Sequence, residues 1–178
     1  MGDDPVLTRF RQQYGAWLAA ARPLLEAGDF KRAFATYPFL RYADAPWTPL
    51  RRPLAQSTLA LVTTGGLYLQ GQQPPFNAAH IEGDTSYRVF SSRVSPATLA
   101  IAHTHFPHHF AEQDLNTILP LAHLHRFASD GIIGCVAESV YSITGYLTDV
   151  ATFAASSARA IAAHMVASGV EAALIVPV

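Results

Sequence analysis

Four histidines fall within seven positions, His103, His105, His108 and His109, where the apolar run ATLAIA ends in HTHFPHHF. Imidazoles so clustered have three uses: they hold a metal, they move protons near neutral pH because their ordinary pKa is ~6.5, or they bridge backbone groups in a loop. His108 and His109 are neighbours, so their side chains point apart and one of them at most faces a common site. A second apolar run ends in Thr63-Thr64-Gly65-Gly66, and glycines there let main-chain amides approach an anion. Between the two lies EGDTSYR, in which Glu82 and Asp84 suit an ammonium group and Arg88 suits a carboxylate in bidentate fashion. The plain reading of that stretch is an Asp-Gly turn with solvated acids and a surface arginine.

Those residues need a frame. TLALVTT (58–64), TLAIAH (98–103) and EAALIVPV (171–178) are short, apolar and without alternation, which predicts strands covered on both faces; GIIGCVAES (131–139) is a candidate fourth. PLAHLHRFASDG opens with Pro120 at the first helical position and stops at Gly131, and 148–169 reads as one Ala-rich helix capped by Thr148 or Asp149 and closed by Gly169. Strands separated by helical crossovers predict an α/β fold: three layers, with a mostly parallel sheet. Ligands of such sheets gather beyond the carboxyl ends of the strands, where the glycine and histidine stretches fall.

An N-terminal helix precedes this, capped by Asp4 with Pro5 next, its apolar stripe being Leu7, Phe10, Tyr14, Trp17, Ala21 and Leu24. A connection with four prolines (Pro38, Pro46, Pro49, Pro53) and many aromatics follows, expected to be an ordered wrap and not a linker. One domain, 1–178, is expected, with 1–36 as its helical N-terminal region and 37–178 as its main body.

Composition narrows the partners. Twelve basic against thirteen acidic side chains leave a formal charge of -1, which favours neither nucleic acid nor an anionic membrane, and 50% hydrophobic residues suffice for a core. No run approaches the roughly 20 apolar residues of a membrane span. Cys135 is the lone cysteine, so no internal disulfide forms; with no signal segment at the start, a cytoplasmic location is expected. Cys135 itself reads as a buried thiol packing like a small apolar group.

The spacing H-T-H-F-P-H resembles the metallo-β-lactamase signature H-x-H-x-D-H, but Pro107 stands at the acid's position, and only Asp114, His123, His125 and His164 remain downstream as His or Asp in plausible positions for further ligands. A zinc site built from His103, His105, His108 and Asp114, serving a hydrolase or a metal-binding module, is therefore the alternative reading.

A wider resemblance absorbs more of the chain. PWTPLRRPL, LALVTTGG, PPFN, EGDTSYRVF, AHTHFPHH with Asp114 and Asn116 after it, GIIG and ALIVPV resemble, in unbroken order from about Tyr37 to Val178, the selenoprotein B family of glycine, sarcosine, betaine and D-proline reductases. The resemblance implies an oxidoreductase subunit that cleaves a C–N bond of an amine or amino acid reductively, with a thioredoxin-type disulfide acceptor. It implies a pyruvoyl group on a partner subunit, a selenoprotein carrier, and a homo-oligomer. Under it, His103, His105 and His108 serve proton transfer, while Thr64, Gly65, Gly66, Glu82, Asp84 and Arg88 bind substrate. The family's histidine stretch usually reads H-D-H-Y-D-H, from which Thr104 and Pro107 depart, and His109 replaces a charged or polar residue. Family members continue after the last strand with selenocysteine or cysteine, two residues and a second cysteine. A chain ending at Val178 is expected to be such a protein cut at its recoded stop codon, inactive without the selenol or thiol that would follow.

Overall fold

The computed structural model describes residues 4–44 and 47–178, and divides the chain into two compact units, Met1–Thr48 and Pro49–Val178. In the first unit, α1 (Pro5–Glu26) starts as the sequence predicts: Asp4 accepts a 2.8 Å hydrogen bond from the Val6 amide, and Pro5 occupies the first turn, where a missing N–H costs nothing. Its buried stripe is Leu7, Phe10, Trp17, Ala21 and Leu25; Leu25, and not Leu24, completes it. A short α2 (Phe30–Phe34) follows, capped by Asp29. Trp17 donates its indole N–H to the Ala33 carbonyl at 2.9 Å and meets the Tyr37 ring edge-on at 4.8 Å. Among the described residues of the connection behind it, up to Pro53, there is no helix or strand, and Phe39 and Trp47 are exposed; its Pro46 lies outside the described residues.

The second unit carries a four-stranded sheet in the order β3–β5–β1–β6, formed by β1 (Thr58–Thr63), β3 (Arg88–Ser91), β5 (Cys135–Ser142) and β6 (Ala172–Val176). β1 pairs in parallel with β5 and with β6, and β3 adds an antiparallel edge. Leu61 and Val140 meet Ile118, Leu119, Leu121 and Leu124 on one face, on the side of α4 (Leu121–Ser129), which follows the short α3 (His109–Gln113). Ala60, Val62 and Tyr141 meet Ile161 and Met165 of α6 (Ser157–Ala167) on the other. Both faces of β1 are thus covered, which is why its sequence does not alternate.

Four expectations need correction. The run at 98–103 does not join the parallel sheet: only Leu99–Ile101 form a strand, β4, paired antiparallel with β2 (Leu67–Leu69) in a separate ribbon. The strand expected at 131–139 begins later and runs on to Ser142, lying between β3 and β1. The helix expected over 148–169 is two, α5 (Val150–Ala155) and α6, broken at Ser156, whose hydroxyl donates back to the Thr152 carbonyl at 2.7 Å in competition with the helix. By length and composition alone Val150–Ala167 would pass for a membrane span, but the break at Ser156 and the packing of Ile161 and Met165 on the sheet mark it as a crossover pair. Finally, Cys135 is exposed, within 3.3 Å of the Thr58 hydroxyl, because it begins its strand and is not covered there.

Candidate functional site

The carboxyl ends of β1, β5 and β6 share one rim, where the histidine loop meets them. Gly66, just past β1, has φ +66°, and a Cβ on it would stand 2.7 Å from the Ala102 carbonyl oxygen and 2.9 Å from the His103 Cβ. Its amide donates to Ile143 O and its carbonyl accepts from Ala102 N–H, so one glycine fastens β1, the turn after β5 and the histidine loop together. Gly145, in the turn after β5, completes the convergence: a Cβ there would lie 3.1 Å from Thr64 Oγ1, 3.1 Å from Val178 O and 3.2 Å from His103 Nε2. Thr64 Oγ1 accepts from the Val178 amide at 2.8 Å, while the Thr64 amide donates to Val176 O. The glycine turn, the imidazoles and the end of β6 are therefore side by side.

The histidines differ in what holds them. His103 is buried, with Nδ1 3.1 Å from the His105 amide and Nε2 3.3 Å from the Tyr146 amide. Burial first, and then the neighbouring His105 and His108, push its pKa down to about 4, so at neutral pH it carries no charge. His105 is exposed on one side and stacks its ring on Tyr146, centroid to centroid at 3.9 Å and 8° from parallel; burial lowers its pKa as well. His108 directs Nε2 at the His103 carbonyl oxygen, 2.5 Å away, which requires a proton on that nitrogen. His109 is exposed.

Tyr146 is the site residue that the sequence reading missed. Its hydroxyl donates to Ile81 O at 2.8 Å, its ring carries His105, and burial together with the charge of Glu82 raises its pKa. The signal was present: Thr144-Gly145-Tyr146 follows a strand and contains a glycine, as Thr64-Gly65-Gly66 does.

The remaining expected residues serve structure. The Gly65 amide is taken by Thr63 Oγ1 and that of Gly66 by Ile143 O, so these amides do not form the anion seat expected of them; the missing Cβ of Gly66 lets it pack on the Ala102 backbone, and that of Gly65 makes room for the Ile118 side chain. Asp84 accepts from the Asn77 amide and from the Ser86 amide and hydroxyl. Burial pushes its pKa up, but these bonds and the charge of Arg88 outweigh it and keep the carboxyl below its ordinary range. Arg88 spends its guanidinium on Pro74 O, Pro75 O, Tyr87 O and Ser86 Oγ and lies over the Phe76 ring at 4.2 Å, so it locks the PPFN turn and does not reach the rim. The Glu82 carbonyl accepts from Thr148, which zips its loop to the turn after β5.

A zinc site fits poorly. Both ring nitrogens of His103 meet backbone N–H groups, His108 Nε2 carries a proton, and Asp114 is turned onto Asn116. Among the described residues, no group of three or more His, Cys, Asp or Glu side chains is arranged to hold a metal ion. The gathering at the rim suits hydrogen bonding and proton transfer to a small polar ligand.

Residues 30–177 match the family of glycine/sarcosine/betaine reductase selenoprotein B, and the chain belongs to this family. It is 30% identical over 139 residues to the glycine reductase complex component B subunit gamma of Carboxydothermus hydrogenoformans, covering 78% of this chain and 32% of that one. It is 28% identical over 129 residues to the D-proline reductase subunit gamma of Acetoanaerobium sticklandii, covering 72% of this chain and 52% of that one. The chain thus spans a third to about half the length of these relatives. No solved structure matches it significantly.

Proposed function

We propose that this chain provides the substrate-side rim of an amine or amino-acid reductase, binding and orienting the molecule whose C–N bond is broken. The observation that carries the reading is the convergence of Gly66, His103, Gly145 and Val178 within contact distance, in a chain of this family. Reductive cleavage needs two electrons. By family resemblance a selenol or thiol pair would supply them, and a pyruvoyl group on a partner subunit would make the amine electrophilic. The 178 residues hold one cysteine, Cys135, seven residues from the rim end of β5 and so roughly 20 Å from it. The role left to these residues is therefore binding and proton delivery.

His105 is the proton donor in this reading. It is exposed and its ring orientation is fixed by Tyr146; burial holds its pKa below the ordinary value, which makes its protonated form the scarcer but the stronger acid, and general-acid help of this kind is worth roughly 10² to 10⁴ in rate. His103, uncharged and buried, orients. Glu82 beside Tyr146 supplies the negative charge that a substrate ammonium would favour. The partners are a small amine or amino acid, a pyruvoyl-containing subunit and a selenoprotein carrier, in a homo-oligomer of the cytoplasm.

A graft tests this. Residues 30–177 replace the matching stretch of the D-proline reductase subunit gamma of Acetoanaerobium sticklandii, and D-proline reduction is measured in the assembled enzyme. Retained turnover that falls about 100-fold or more in the His105→Ala graft supports the reading. A graft that folds and assembles, and whose turnover is unaltered by His105→Ala, contradicts it.

A further inference from the structure

His103 is asked for more than a neutral imidazole has. It is 4% exposed, and both of its ring nitrogens face backbone N–H donors, that of His105 at Nδ1 and that of Tyr146 at Nε2. A neutral imidazole offers one lone pair and one N–H; an imidazolium offers no lone pair at all. Protonation would worsen the conflict, and burial beside His105 and His108 opposes it. The lone pair goes to the shorter contact, 3.1 Å at Nδ1, which leaves the ring proton on Nε2. Among the described residues no acceptor meets that proton. A buried donor in this condition costs about 1–3 kcal/mol, a cost that an arriving acceptor removes.

The surroundings leave room for such an acceptor. A crevice of about 10 Å³ bordered by Gly83, Asp84, His103, His105 and Tyr146 admits one water-sized atom and no more. Gly145 lets the turn after β5 pass close to Nε2, since a Cβ there would sit 3.2 Å from that nitrogen. Asp84 borders the same crevice, but Asn77, Ser86 and Arg88 offset its charge. We propose that His103 presents Nε2–H as a fixed donor seat for one ligand oxygen, that of a carboxylate or a carbonyl group, with the remainder of the ligand outside the crevice. The proposal rests on the reading of the rim as a substrate face, and it assigns to His103 the oxygen contact that Gly65, Gly66 and Arg88 do not make.

Long-range ¹H–¹⁵N NMR on the ¹⁵N-labelled full chain reads the tautomer directly. The expected result at pH 7 is a neutral His103 protonated on Nε2, whose Hε2 and whose neighbouring Tyr146 amide shift when acetate or acetamide is added, but not with methylammonium. A response to acetate alone assigns the seat to a carboxylate, and one to acetamide alone to a carbonyl. His103→Gln, which keeps an N–H near the Nε2 position, retains the Tyr146 response, and His103→Leu weakens probe binding about tenfold. A proton on Nδ1, or an Hε2 unmoved by both probes, overturns the seat. That outcome leaves the reductase reading to be decided by the graft, which does not depend on the tautomer.

Discussion

Gly66 and Gly83 have φ +66° and +81°, in the left-handed region, and each lies against backbone, Gly66 on Ala102 and Gly83 on Tyr146. A Cβ would be strained twice, by the dihedral and by the contact. Gly66→Ala is expected to cost about 3 kcal/mol, read as a lower denaturant midpoint at unchanged slope. His103 gives the molecule a pH signature. Its folded pKa of about 4 lies below the ordinary ~6.5, so the unfolded chain binds the proton first. The stability tied to this group is fully present above pH 6.5 and is lost as pH falls toward 4, at up to about 1.4 kcal/mol per pH unit. Denaturation of wild type and His103→Gln at pH 7.5 and pH 5 checks this, with the larger loss expected in wild type. The histidines and glycines were legible from the sequence as residues of one rim. Their division of labour was not: an amide donor for an anion and a close backbone crossing both require the absence of Cβ, and only the structure shows the Gly65 and Gly66 amides already engaged.

At the scale of elements, what the sequence could not show was pairing. TLAIAH is apolar enough for a buried strand, yet its three strand residues pair with β2, and the histidines reach the rim because Ala102 bonds Gly66. Composition marks a segment as extended without saying which neighbour takes its hydrogen bonds. The break at Ser156 was hidden for a similar reason, since its hydroxyl bond to Thr152 O depends on local geometry. β6 is an edge strand of the sheet with Leu174 and Ile175 exposed, Ile175 at 62%. Such an edge invites pairing with other chains. Ile175→Lys is expected to reduce aggregation, followed by light scattering during heating, while shifting Tm by only a few degrees, because little apolar burial is lost.

For the whole molecule, both apolar clusters of the sheet lie within residues 49–178, and the first unit has its own core around Trp17. A chain of residues 49–178 is therefore expected to unfold cooperatively and to keep the amide chemical shifts of the rim; a molten spectrum would show that the first 48 residues are needed for its core. The family match begins at residue 30, inside the first unit, so family membership and structural division do not share a boundary. The claim on which the functional account depends is that the rim of Gly66, His103, His105, Gly145 and Tyr146 is the ligand face. Amide chemical-shift mapping of the ¹⁵N-labelled chain during titration with glycine, sarcosine, betaine and D-proline tests it most directly. The account predicts that, for at least one of them, the saturable shifts concentrate on those five residues. Saturable shifts centred away from the rim, with the amides of those five residues unmoved, would contradict it.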